Sequence, residues 1–214
     1  MRLPLPQFRP VRQPDHIAEV VVTSSTEFTA QCLEPENLSF PIVPAFGSWV
    51  RSLSDGDDQT DETMVYGIVC HTCTMPIDSV HRATALGMSL QELREQQPQI
   101  FAMLKTETRV AIAGFRQNHK IYQHLPDRPP QIHQAVYACS QAEILEFTEE
   151  LHFLRTLTQA SSTPVDELIG AVLRGVYQVR KCDRAWLVQA GRHLSILLKE
   201  DYDRLGAILS QVHP

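Results

Sequence analysis

Hydrophobic and polar residues alternate along this chain with two different periods, and the change falls close to residue 139. In the first part the period is 2, the repeat of a strand with one face buried. Ile17 to Thr23 is rich in valine, Thr23-Ser24-Ser25 supplies a polar turn, and Phe28, Ala30 and Cys32 alternate with Glu27, Thr29 and Gln31, which predicts a hairpin with one solvated face. Leu33 to Pro44 carries Pro35, Pro41 and Pro44, which cannot donate to a central ladder, so it reads as a loop. Trp49 to Leu53 and Met64 to His71 predict a second pair of strands facing each other across a polar loop. Gly67 interrupts their apolar run as a bulge or a close-approach residue would. Strand character returns at Thr108 to Phe115, where Val110 and Ile112 share a face, around Ile121 and Tyr122, and at Ile132 to Ala138 after the stiff Pro129-Pro130 pair. Six or seven short strands at hairpin spacings predict a small closed antiparallel barrel over 17–138.

Helical signals interrupt and then replace this pattern. Ser89 with Glu92 has the capping-box spacing, and Pro98 restarts a short helix through Ile100, Met103 and Leu104, a helical insertion near 89–104. Ser140 with Glu143 makes a second capping box, followed by Ile144, Phe147, Leu151, Leu154 and Leu157 at helical spacing. Thr163 as N-cap and Pro164 at the first helical position open the next helix, striped by Val165, Leu168, Ile169, Val172, Val176 and Val179. A third helix carries Trp186, Leu187, Ala190, Leu194 and Leu197, and a fourth Tyr202, Leu205, Ile208, Leu209 and Val212. Four amphipathic helices with short turns predict an antiparallel bundle over 140–214. The fold class expected is therefore α+β, a small N-terminal β-barrel followed by an α-helical bundle. Residues 1–16 hold Pro4, Pro6, Pro10 and Pro14 among Arg2, Arg9 and Arg12, which predicts an extended arm.

Composition narrows the partners. With 214 residues and 43% hydrophobic content the chain can bury a sizeable core, and its net charge of -6 weighs against a protein built on phosphate contacts. No run of about 18 apolar residues occurs, so a membrane span is not expected. Five cysteines, Cys32, Cys70, Cys73, Cys139 and Cys182, are too scattered for a disulfide framework, which points to reduced thiols and a cytoplasmic setting.

Candidate chemistry is sparse. Cys70-His71-Thr72-Cys73 is a C-x-x-C that can supply half of a zinc site or a redox dithiol, with His81 the nearest further ligand in sequence. On a regular strand, however, Cys70 and Cys73 would face opposite sides. Asp55, Asp57 and Asp58, with Asp61 and Glu62, cluster without a basic residue. Gly56 directly after the first aspartate breaks calcium-loop spacing, which leaves a solvated acidic loop as the simpler reading. Arg174, Arg180, Lys181 and Arg184 gather positive charge near one predicted helix end, where they can complement the helix dipole, form a phosphate-binding patch or, through Arg174 and Arg180, contact an acidic partner. No phosphate-binding loop, nucleophile elbow or histidine pair with metalloprotease spacing is found, so no catalytic residue and no cofactor are assigned.

The runs VVVTSSTEFTAQC, AFGSWV and VYGIV resemble the HAS barrel, the small β-barrel named for HerA-type DNA-translocating ATPases and ATP synthases. The run HRATALGMSLQELREQQPQIFAMLKTE followed by VAIAGF resembles a stand-alone version of that barrel found in cyanobacteria. The resemblance covers about residues 17–138. It implies that Phe46, Gly47, Val50, Tyr66, Gly67 and Val69 are structural. It also implies a role in contact: a non-catalytic interaction or assembly factor that docks on a multi-subunit complex, such as ATP-synthase or photosynthetic machinery at a membrane, with a homo-oligomer as a further possibility. A nucleic-acid-associated small barrel, and a metal or redox protein using Cys70 and Cys73, are the alternative readings.

Overall fold

Strand β1 (His16–Thr23) ends where Ser24 takes over hydrogen bonding. Its amide and hydroxyl donate to the Glu27 carbonyl at 2.9 and 2.7 Å, and the chain returns as β2 (Glu27–Cys32). The remaining strands are β3 (Trp49–Asp55), β4 (Glu62–Pro76), β5 (Leu104–Gln117), β6 (Lys120–Tyr122) and β7 (Ala135–Ala138). This computed structural model describes residues 13, 15–33, 43–55, 62–78, 83–160, 163–199 and 201–212. Most of the proposed N-terminal arm therefore lies outside the described residues.

The sheet runs in the order β2-β1-β7-β3-β4-β5 and closes because β2 also pairs with β5, giving a closed six-stranded barrel in which every pairing is antiparallel. β6 adds to β5 outside the ring through Asn118 and His119, both with positive φ, the backbone of a tight hairpin turn. Alternation along β4 explains its nearly continuous apolar run. Val65 and Val69 point into the barrel with Val110, Ile112 and Phe28, whereas Tyr66, Ile68 and Cys70 join a second core outside it. Gly67 sits on the inner face, where an added Cβ would collide with Val110 and approach the Ala111 carbonyl at 3.0 Å, so it is a close-approach residue beside a bulge.

That second core is formed by helices laid on the barrel wall. Among the described residues there are seven: α1 (Leu90–Gln96) and α2 (Gln99–Ala102) between β4 and β5, then α3 (Gln141–Phe147), α4 (Phe153–Thr158), α5 (Val165–Val179), α6 (Arg184–Leu197) and α7 (Tyr202–Ser210). α5 touches α3, α4, α6 and α7 and buries Leu168, Ile169, Val172, Leu173 and Val176. At the junction the rings of Trp49 and Tyr66 each lie 5.1 Å from Phe147, and Trp49 is 5.3 Å from Phe153. Arg51 ties this wall together, reaching Asp15 at 2.7 Å and Glu143 at 2.8 Å.

Both capping boxes form as expected, at Ser89 and Ser140. Three helical expectations need correction. The single helix expected after Ser140 is two, because residues 148–152 leave the helical path and side chains from elsewhere satisfy their backbone. Gln123 donates to the carbonyls of Phe147 and Glu150 at 2.6 and 3.0 Å and accepts from the Phe153 amide, and the Trp186 indole donates to the Thr148 carbonyl at 2.9 Å. Thr163 does not cap α5, since its hydroxyl donates instead to the Cys70 carbonyl at 2.9 Å and Pro164 occupies the N-cap. The short helix after Pro98 stops at Ala102, and Leu104 already belongs to β5.

Candidate functional site

The part of the barrel least absorbed by either core is the connection between β4 and β5. β3 leaves β4 at the Trp49 and Ile68 pair, and β2 covers β5 only from Glu107 to Ala111. Thr72 to Pro76 and Leu104 to Thr108 therefore pair with each other, and much of this two-stranded ribbon runs on beyond the ring. The Thr74 and Thr106 hydroxyls bond across it at 2.8 Å, and the Ile77 amide closes its end on the Met103 carbonyl at 2.9 Å. At the far end sits α1, in which no residue is buried. Ile77, Leu86, Leu90 and Met103 are all exposed, Leu90 at 57% and Met103 at 46%, and none belongs to either core. A capping box and a Gln91 to Glu95 bond hold this short helix, which turns Leu90 toward solvent and leaves Leu93 half-buried.

The register also resolves the C-x-x-C. β4 shifts between Val69 and His71, so Cys70 is an extra residue, and beyond it the strand faces are exchanged. Thr72 and Thr74 pair with Thr108 and Thr106 on the inner face, while Cys73 pairs with Glu107 on the outer one, the side that Cys70 faces. The expectation of opposite faces is thus overturned by the bulge. Cys70 is buried, its thiol donates to the Arg109 carbonyl at 3.3 Å, and burial pushes its pKa up, the opposite of what a metal ligand or redox nucleophile needs. Among the described residues no cluster of histidine, cysteine or acidic side chains has metal-site geometry. His81, Asp57 and Asp58 lie outside the described residues, and of Asp55 only the backbone, the last residue of β3, is described.

The basic cluster does not form one patch. Arg180 is the C-cap of α5 and turns inward, donating to the Leu145 carbonyl at 2.9 Å and the Thr148 hydroxyl at 3.1 Å. Arg174 reaches the Gln211 carbonyl at the end of α7, 3.2 Å away. Arg184 opens α6, so it sits at a helix N-terminus rather than the C-terminal end expected for it. Lys181 lies between them in a left-handed turn. Of the positions that the resemblance implies are structural, Gly47, Val50, Tyr66, Gly67 and Val69 are buried, but Phe46 is exposed.

One depression had no sequence signal. The turn between α3 and α4 and the outer face of α6 enclose a shallow groove of about 290 Å³. Leu151 and Ile196 line it, with Glu149 and Glu150 on one wall and Arg192 and His193 on the other. The His152 and His193 rings meet across it edge to face at 5.7 Å, and burial, then the neighbouring His152, holds the His193 imidazole below its ordinary pKa. The residues that form it are far apart in sequence and are joined only by packing.

No family model and no curated protein matches this chain. Among the described residues no helix is long and apolar enough to cross a membrane.

Proposed function

We propose that this protein is a non-catalytic interaction or assembly factor that presents the end of the β4 to β5 ribbon, with α1 and α2, to a larger complex. The observation that carries the reading is the set of exposed apolar side chains there, Ile77, Leu86, Leu90 and Met103, on an element that contributes nothing to either core. The ring itself offers little for strand addition, because its six strands are paired on both sides, so contact falls to this excursion. The HAS-barrel resemblance supports the same reading, since in that family the barrel serves contact between subunits. On that basis the helices α3 to α7 act as a bundle buttressing the barrel, and the partner is a multi-subunit assembly such as ATP-synthase or photosynthetic machinery.

The test is capture of native complexes by the tagged full-length chain, compared with Leu90→Asp and Met103→Asp. Both sites are exposed, so the variants keep the fold. The expected result is one defined complex with the parent chain and its loss with each variant. Equal recovery with the variants, or no complex at all, would sink the proposal.

A second reading has one observation in its favour. Phe115 stacks on Tyr122 at 5.0 Å, His124 meets both rings, and the Lys120 ammonium lies 5.2 Å from the Tyr122 ring centre, a small aromatic and cationic cluster at β6. Aromatic rings beside a cation stack single-stranded bases, and here the half-buried Tyr122 and the exposed His124 are the rings within reach, since Phe115 belongs to the barrel core. Salt-sensitive binding of an oligonucleotide that Tyr122→Ala abolishes would favour this reading over the first.

A further inference from the structure

Strand β4 outlasts its neighbour on one side. β3 and the turn before it follow β4 as far as Val69, whose amide donates to the Ser48 carbonyl at 3.0 Å and whose carbonyl accepts from the Gly47 amide at 2.8 Å. Beyond that point β4 pairs only with β5. The Ile77 amide donates across to the Met103 carbonyl at 2.9 Å, and bonding direction alternates along an antiparallel strand, so His71, Cys73 and Met75 turn their backbone groups toward β5. Thr72 and Thr74 turn theirs the other way, to an edge where these groups meet no partner among the described residues.

Open edges are normally guarded by charge or proline. The edge of β5 beyond its last pair with β2, at Glu107, carries Lys105. β4 has no charged residue from Thr63 to Ile77. Its edge is bounded instead by two residues that end a ladder: Pro76 has no amide hydrogen, and the Cys70 carbonyl is already taken by the Thr163 hydroxyl at 2.9 Å. Cys73 is the midpoint between them, and the free groups of Thr72 and Thr74 lie evenly on either side of it. A set of donors and acceptors with that symmetry is complementary to itself about a two-fold axis through Cys73.

We propose that this edge of β4 pairs antiparallel with the same edge of a second copy of the chain, so that one sheet runs from β5 through both β4 strands to β5 of the second copy. Thr72 exchanges its N–H and C=O bonds with the partner's Thr74, and Thr74 with the partner's Thr72. Cys73 faces the partner's Cys73 and His71 faces the partner's Met75, so no like charges are set opposite each other. The same register employs two apolar side chains that the single chain leaves in water. It brings Ile77, 54% exposed, to the partner's Phe46, 42% exposed, in the turn that bonds to Val69. A foreign strand would meet the backbone groups equally well, but the contact of Ile77 with Phe46 is supplied only by a second copy. The pairing uses the flank of the ribbon and does not involve Leu90 of α1, so this inference and the docking role proposed above fail separately.

The experiment is sedimentation velocity on the purified full-length chain in reducing buffer at neutral pH over a wide concentration range. The parent chain is expected to sediment as two copies at high concentration and to dissociate on dilution. Hydrogen–deuterium exchange at the Thr72 and Thr74 amides should be at least about tenfold slower in the concentrated sample than in the dilute one. Cys73→Lys and Cys73→Glu each set like charges face to face across the axis, and either alone should weaken association at least about tenfold. Mixing the two variants should restore it, a rescue that a general loss of fold cannot produce. A parent chain that is monomeric at every concentration overturns the proposal. So does a dimer in which the Thr72 and Thr74 amides exchange as fast as in the monomer, or a mixture that associates no better than either variant alone. Leu90→Asp, which tests the docking role, should leave the dimer unchanged.

Discussion

Arg180 lies against the indole of Trp186, its guanidinium carbon 5.2 Å from the ring centre, and both side chains spend their donors on the same broken stretch of helix. Arg180 takes the Leu145 carbonyl and the Thr148 hydroxyl, and Trp186 takes the Thr148 carbonyl. The arginine that looks like part of a binding patch in sequence is a clasp in the fold. Removing it takes the donor from the half-buried Leu145 carbonyl and the cation from the face of the Trp186 ring.

Arg180→Ala is therefore expected to lower stability by about 2–3 kcal/mol, measured by urea unfolding. Arg180→Lys should recover little, because one ammonium cannot replace the planar fork. A loss below about 0.5 kcal/mol, the level of an ordinary surface change, would return Arg180 to the surface.

Two glycines should respond in opposite directions to alanine. Gly47 has φ +81° and a Cβ there would stand 2.8 Å from the Ala171 Cβ, where the turn before β3 meets α5. Gly47→Ala is expected to cost more than about 2 kcal/mol. Gly175, also on α5, has nothing within 4 Å of the added carbon, and Gly175→Ala should stabilise by about 0.5–1 kcal/mol. Paired denaturation curves check both, and equal effects would place the contact between turn and helix elsewhere.

Glu143 predicts an acid limb. Burial raises its carboxyl, but the Ser140 amide and hydroxyl and the Arg51 guanidinium outweigh that, so the group sits below its ordinary value of 4.5. The unfolded chain then binds more protons in this range. The contribution to stability is complete above pH 4.5 and is lost as pH falls through the lowered folded value. Urea midpoints taken down to acid pH should show a shallower decline for Glu143→Gln than for the parent, and identical slopes would remove Glu143 as a source.

The thiols should separate by burial. Cys32 is pushed up to about 11 by burial, and burial likewise raises Cys70 and Cys139, whereas Cys182 is exposed in the turn before α6. Native alkylation followed by mass spectrometry should find Cys182 modified first and Cys32, Cys70 and Cys139 protected until unfolding. Rapid modification of Cys70 would reopen the C-x-x-C reading.

The strands and both capping boxes were legible because their signals are local. Period-2 alternation at Phe28, Ala30 and Cys32, and the serine and glutamate spacing at Ser89 and Ser140, need no distant partner to be read. The break between α3 and α4 was not legible, since Ile144, Phe147, Leu151 and Leu154 keep helical spacing across it. What opens the backbone there is Gln123, Arg180 and Trp186 arriving from other elements. The same holds for the C-x-x-C, where a register shift against β5 decides which face Cys73 takes. Of the interaction candidates, Arg174 and Arg180 proved to be tied to helix ends, and the ribbon end was hidden because an exposed leucine reads like a buried one.

By itself the sequence determined the α+β class, the small antiparallel barrel and the positions of most elements, because hydrophobic period and capping chemistry act over a few residues. Only the tertiary structure decided that β2 pairs with β5 to close the ring, that the outer wall of β4 becomes a second core, and which apolar side chains remain in water. Those outcomes depend on which distant surfaces bury one another, and burial is a property of pairs of surfaces that no single stretch of chain carries.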